Sequence, residues 1–207
     1  VSRHYTGKRA LDVVVATFLL LVASPVMLVA VLAVRATSPG DALFRQVRIG
    51  AMGRPFVLLK FRTMERDCSH QAHEDFVRQM MAGDLPRPRD GVYKLTRDPR
   101  VTRVGRVLRT ASIDELPQLI NVLRGDMSLV GPRPALPWEV ELFPTAAAPR
   151  FLVLPGLTGL WQISGRNRLT MLEGLHLDVE YVGRSSLATD LGIIARTPLS
   201  MLRGGAR

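Results

Sequence analysis

The chain has 207 residues, 28 Lys and Arg against 18 Asp and Glu, a net charge of +10 and 47% hydrophobic residues. That length suits one domain, or one domain with a small appendage, and the apolar fraction excludes a disordered chain. Cys68 is the only cysteine, which excludes a disulfide scaffold and suits a reducing compartment. Three of the cations are Lys8, Lys60 and Lys94, and all the others are Arg. Arginine grips phosphate oxygens with a planar fork, so the excess points to a phosphate-bearing partner, although a genome rich in arginine codons produces the same bias. Nucleic acid is the weaker partner, because Tyr and Trp are few and no nucleic-acid motif is present.

The first element in chain order is apolar. Val13 to Val34 is an uncharged run of 22 residues, which as one helix is about 33 Å long and matches a hydrocarbon core of ~30 Å. A cleaved signal peptide is excluded by the length of the run and the missing cleavage site. Ser24-Pro25 falls at its middle, where proline removes a backbone donor and predicts a kink. Both flanks are basic, with Arg3, Lys8 and Arg9 before the run and Arg35, Arg45 and Arg48 after it. Basic residues mark the cytoplasmic side, and here both ends qualify. A helix–break–helix hairpin that enters one leaflet and returns satisfies both features, with the Ser24 hydroxyl available for a freed backbone group. A spanning helix remains the alternative.

After the turn at Ser38-Pro39-Gly40, LFRQVRIG and RPFVLLKFRTM read as two strands of a hairpin joined across Gly50–Gly53. Residues 65–83 predict a short polar helix, and 84–91, with Pro86 and Pro88, a loop. Arg97, Arg100, Arg103, Arg106 and Arg109 recur every third residue, a spacing that drifts round a helix and suits a solvated face near anionic headgroups. Ser112 and Glu115 fit a capping box ahead of Leu116, Leu119, Ile120 and Leu123, with Gly125 as the stop. Pro117 is tolerated only near a helix start, which puts Asp114 and Glu115 in or beside the first turn. The two carboxylates either cap the helix or do chemistry, one attacking or holding a metal while the other handles a proton. Gly131-Pro132-Arg133-Pro134 is a stiff turn presenting an arginine, PGLTG and SGRN are turn chemistry, and Leu187 to Arg203 is an amphipathic helix for the interface or the core.

KRALD, the apolar run broken at Ser24-Pro25, FRQVRIG, KFRTM, SIDELPQLINVLRGDMSLVGPRP, PGLTGLWQISGRN and LDVEYV follow one another in this order. The pattern resembles the bacterial sugar transferase family, the monotopic polyprenyl-phosphate phosphoglycosyl transferases, over nearly the whole chain. The resemblance implies transfer of a sugar-1-phosphate from a UDP-sugar to a polyprenyl phosphate such as undecaprenyl phosphate, releasing UMP. It implies that Asp114 is the nucleophile of a covalent aspartyl-phosphosugar intermediate and that Glu115 helps activate the lipid phosphate. Mg2+ is the implied cofactor, with Asp114 as its protein ligand. Arg109 and Arg133 are the implied phosphate-binding cations, joined by Lys60 and Arg62 of the KFRTM run. Ser24 and Pro25 match the break that makes the family's membrane helix re-entrant.

Residues and resemblance together predict an α+β, mostly helical catalytic domain with a small β-hairpin over 37–207, anchored by a re-entrant helix hairpin over 1–36. The expected place is the cytoplasmic face of the bacterial inner membrane, in contact with membrane lipid and not with nucleic acid, at the first membrane step of a glycoconjugate pathway. Two other readings fit part of the composition: a basic membrane-anchored module that binds anionic lipid, and a membrane-bound hydrolase of nucleoside diphosphate sugars.

Overall fold

The computed structural model describes residues 5–65, 71–82, 100–165 and 168–203. Cys68, Lys94, Arg97 and the loop expected at 84–91 lie outside the described residues. The apolar run folds as one helix, α1 (Lys8–Thr37), with Pro25 inside it. The expected break into two helices is therefore absent as a separate segment, and the local chemistry explains why. Pro25 has no N–H for the carbonyl of Leu21, and the Ser24 hydroxyl donates to that same carbonyl at 2.8 Å. The serine thus closes the gap that its neighbour opens in the hydrogen-bond ladder.

The predicted hairpin is present as β1 (Leu43–Ile49) and β2 (Pro55–Phe61), joined by a 3-10 turn at Ala51–Gly53. The strands are antiparallel, with Phe44 opposite Lys60, Gln46 opposite Leu58 and Arg48 opposite Phe56. Because side chains alternate faces, Lys60, Gln46 and Arg48 share one face of this ribbon. The polar helix is α2 (Gln71–Ala82), inside its expected range, and α3 (Arg103–Thr110) carries the exposed Arg103, Arg106 and Arg109. Then come α4 (Gln118–Arg124), β3 (Ser128–Val130), α5 (Pro137–Glu141), a 3-10 segment (Thr145–Leu152), β4 (Gly156–Thr158), α6 (Leu160–Ser164), α7 (Met171–Arg184) and α8 (Leu187–Arg203).

PGLTG, expected as a turn, supplies β4, which pairs in parallel with β3 at Ser128–Gly156 and Val130–Thr158. The approach is possible because Gly131 and Gly156 have no side chains. A Cβ on Gly156 would lie 2.1 Å from the backbone nitrogen of Gly131, and one on Gly131 would lie 2.3 Å from the carbonyl of Leu154. Three-residue strands are too short to display an alternating pattern, which is why the sequence reads as turn chemistry.

Two apolar clusters hold the fold together. Leu58, Leu119, Val122, Met127, Val130, Val153, Tyr181 and Ile193 form the larger one, and Ala42, Phe61 and Leu108 the smaller. α1 enters both, through Ala16 in the first and Ala30 and Val34 in the second. Its other side is bare: Val14, Phe18, Leu21, Val22, Leu28 and Val29 are all at least 60% exposed. In α8 the core side is Asp190 and Ile193, while Leu187, Leu191 and Leu199 face outward, so the helix is amphipathic and one side of it packs in the core.

The N-terminal end of α1 is tied down by polar bonds. Lys8 Nζ donates to Asp190 Oδ2 and to the carbonyl of Val130, and Asp190 also accepts from the hydroxyls of Tyr181 at 2.8 Å and Tyr5 at 3.0 Å. Asp12 Oδ1 accepts from the Ser128 hydroxyl and the Leu129 N–H, both at 2.9 Å. Arg9 donates to the carbonyls of Val122 and Leu123 at the end of α4. There Gly125, at φ 88°, makes the left-handed stop its position predicted.

Candidate active site

Asp114 and Glu115 lie in a 3-10 turn, Ile113–Glu115, just before α4. The expected capping box is not made, and the Ser112 side chain caps nothing. Proline cannot donate inside a helix, so the regular turns begin only after Pro117, and the Glu115 carboxylate accepts from Lys60 Nζ at 3.1 Å. Ser112 itself takes φ 54°, a left-handed conformation unusual for a non-glycine residue. Strain of this kind concentrates at functional sites.

The Asp114 side chain is buried, with the residue only 8% exposed. Burial pushes its carboxyl above the ordinary aspartate value, the charges of Lys60 and Arg109 pull it back down, and neighbouring Glu115 pushes it up again. Asp114, Glu115, Lys60 and Arg109 therefore form one electrostatic cluster. Arg109 reaches it from the last turn of α3, whose start is set by the Gly105 N–H donating to the Thr102 hydroxyl at 2.9 Å. Gly105 lies so close to the strand exit that a Cβ there would sit 2.1 Å from the carbonyl of Thr63.

Arg133 is exposed on the next loop between buried Pro132 and Pro134, the presentation that the stiff turn predicted. Arg48, which the sequence presents only as a basic flank of the apolar run, packs against this turn. Its guanidinium donates to Gln46 Oε1 at 2.7 and 3.1 Å and to the carbonyl of Pro134 at 3.0 Å, and it lies 3.9 Å from Glu139. Burial first, and then the charge of Arg133, lower its pKa to about 10, against the fields of Glu139 and Glu115. Asn121 was also missed. Its amide bonds the edge of β2, accepting from the Leu59 N–H at 3.0 Å and donating to the Val57 carbonyl at 2.8 Å. The bonds of Asn121 to β2 and of Arg48 to Pro134 join residues tens of positions apart, so no local spacing signals them.

Arg62 is not brought into the cluster. Its terminal nitrogens donate to the carbonyls of Pro39 at 2.7 Å and Ser38 at 2.9 Å and to the Ser38 hydroxyl at 2.8 Å, so it fastens the exit of α1. Among the described residues no group of three or more His, Cys, Asp or Glu side chains could hold a metal ion. The adjacent carboxylates of Asp114 and Glu115 nevertheless fit Mg2+, which is commonly held by one or two carboxylates together with substrate phosphates and water. A divalent cation also suits a carboxylate whose burial the nearby cations only partly offset.

A buried carboxylate set among cations is equipped for phosphate chemistry, and the bare side of α1 puts that chemistry on a domain suited to a lipid surface. The class is a membrane-associated group-transfer enzyme. The chain belongs to the bacterial sugar transferase family, whose sequence profile matches residues 3–204. It is 44% identical over 191 residues to the exopolysaccharide production protein ExoY of Rhizobium meliloti, covering 92% of this chain and 83% of that one. It is 46% identical over 204 residues to a UDP-glucose:undecaprenyl-phosphate glucose-1-phosphate transferase of Caulobacter vibrioides, covering 94% of this chain and 69% of that one. It is 38% identical over 198 residues to an undecaprenyl-phosphate galactose phosphotransferase of Salmonella typhimurium, covering 95% of this chain and 40% of that one.

Proposed function

We propose that this enzyme moves a sugar-1-phosphate from a UDP-sugar to a polyprenyl phosphate, undecaprenyl phosphate in the bacterial membrane, with UMP as the first product. The observation that carries the reading is the Asp114 carboxylate, buried beside Glu115 and within the fields of Lys60 and Arg109. The names of the Caulobacter and Salmonella relatives support the donor and acceptor classes.

Donor and acceptor both carry phosphate charge, so direct attack of one on the other meets strong repulsion. A carboxylate nucleophile divides the transfer into two steps. An Asp114 oxygen attacks the sugar-bearing phosphorus, the bond to the UMP oxygen breaks, and UMP departs with its electron pair. A phosphate oxygen of the polyprenyl carrier then attacks the same phosphorus and frees the Asp114 carboxylate. Glu115, held by Lys60 at 3.1 Å, stands beside the nucleophile to help activate the second phosphate by taking its proton. Arg109 and Arg133 clamp the anionic groups. Asp114, with Glu115 next to it, is the site for Mg2+, which when bound neutralises phosphate charge.

The anchor is a re-entrant helix in one leaflet, with the active site on the cytoplasmic face. Both ends of α1 pack on the same domain, Ala16 near the start with Val130 and Tyr181, and Val34 near the end with Phe61 and Leu108. A helix bonded at both ends to one water-facing body has no free end on the far side of a bilayer. Burying the bare side of α1 in lipid is worth on the order of 10 kcal/mol. The headgroup depth that results is where a polyprenyl phosphate presents its charge, which confines the encounter to a surface. An exopolysaccharide or related glycan pathway fits the name of the Rhizobium relative.

Intact-mass spectrometry after mixing with a panel of UDP-sugars, without lipid acceptor, tests the nucleophile. A donor that is turned over adds one phosphosugar to the wild-type protein and none to Asp114→Asn. An unmodified wild-type protein that still turns over, or turnover by Asp114→Asn, overturns the assignment.

A further inference from the structure

Arg133 lines a shallow concavity together with Pro132, Arg150, Phe151 and Pro155 among others. Behind it lies an ion pair that the mechanism above does not use. Arg150 and Asp178 are 3% and 1% exposed, and Arg150 donates to Asp178 Oδ2 from Nε at 3.2 Å and from Nη2 at 2.8 Å. The same Nη2 donates to the backbone carbonyl of Arg133. The rings of Phe143 and Phe151 flank the guanidinium at 5.0 and 5.3 Å. Stability alone is a poor reason for burying such a pair, since apolar side chains of like volume serve as well or better. What the pair does achieve is a fixed backbone. Arg150 holds the carbonyl of Arg133 while Arg48 holds the next carbonyl, that of Pro134. With a proline on either side, the main chain of Arg133 has little freedom left, and binding an anion then orders only its side chain.

We infer that Arg150 and Asp178 are positioning residues for Arg133, fixing its backbone beside this concavity so that its guanidinium takes a phosphate of the nucleoside diphosphate-sugar donor. The inference rests on the phosphate-binding role given to Arg133 above. Steady-state kinetics with the UDP-sugar that the wild-type protein turns over, UDP-glucose first, test it with Arg133→Ala, Asp178→Asn, Arg150→Lys and the double variant Arg133→Ala/Asp178→Asn.

Arg133→Ala raises the donor KM about tenfold or more, and Asp178→Asn raises it about three- to tenfold with kcat within about twofold. The double variant is no worse than Arg133→Ala, because Asp178 acts only through the side chain already removed. If Asp178→Asn does not fold, Arg150→Lys decides. It keeps the charge but loses the fork, and it raises the donor KM in the same range. Multiplying effects in the double variant, or a fall in kcat with the donor KM unchanged, means a general structural role and overturns the inference. An unchanged KM in Arg133→Ala removes its premise, and with it the phosphate role of Arg133, while leaving Asp114 chemistry untouched.

Discussion

The bond network at the start of α1 yields a quantitative prediction about how the membrane helix is joined to the catalytic domain. Lys8 and Asp190 are 2% and 0% exposed, so neither charge is solvated if its partner is removed. Breaking a buried pair from one side costs about 3–5 kcal/mol. In Lys8→Met the Asp190 carboxylate keeps the hydroxyls of Tyr181 and Tyr5, which moderates the loss to about 3 kcal/mol. Asp190→Leu leaves the Lys8 ammonium with the Val130 carbonyl, the Tyr181 hydroxyl and the face of the Tyr5 ring but no counter-charge on them, and costs at least as much. For a chain of this size about 3 kcal/mol lowers Tm by roughly 6–12 °C. The double variant Lys8→Met/Asp190→Leu replaces both charges by apolar volume and recovers most of that loss. Thermal unfolding in detergent at one fixed scan rate, followed by tryptophan fluorescence, measures all four proteins. Hydrogen exchange in the first two turns of α1 rises in the single variants. Single variants within about 2 °C of wild type, or a double variant below both singles, refute the reasoning that this pair clamps α1 to β3 and α8.

Gly105→Ala forces the α3 backbone away from Thr63, costs about 1–3 kcal/mol despite the better helix propensity of alanine, and lowers turnover by shifting Arg109. Gly183→Ala, with nothing within 4 Å of the new methyl, is neutral or stabilising, so of the two only the Gly105 variant lowers Tm. Cysteines introduced at Ser2 and Asp41 in a Cys68→Ser background label from the same side of sealed vesicles, whereas labelling from opposite sides means that α1 spans the bilayer. Burial raises the Asp178 pKa from 3.8 to about 6, with Arg150 opposing the shift. The folded state then holds the extra proton, so this group's stabilising contribution is complete below the unfolded value and is lost as pH rises through about 6. The difference is about 2 kcal/mol between pH 4 and 7, read as a slope in chemical denaturation that Asp178→Asn lacks.

Much of this protein could be read from local pattern. The uncharged run became α1, the glycine-bounded apolar segments became the β1–β2 hairpin, Gly125 stopped α4, and α8 kept its expected limits at Leu187 and Arg203. Each follows from forces acting over a few residues: hydropathy, turn geometry and the left-handed freedom of glycine. The Asp114-Glu115 pair was likewise visible as a carboxylate doublet beside a proline. Its 3-10 turn was not, because the start of α4 was decided by Pro117 and by the claim of Lys60 on Glu115.

The amino-acid sequence alone therefore determined which segments are apolar, where the chain turns and which carboxylates and arginines are available. Tertiary structure decided what those groups face. It sent Arg62 to the end of α1, Arg48 to the proline turn and Lys60 to Glu115, paired β3 with β4, and buried Lys8 against Asp190. The reason is physical: a charged side chain in a folded chain bonds whatever polar group the packed backbone brings within about 3 Å, and that choice is made by contacts between residues far apart in sequence.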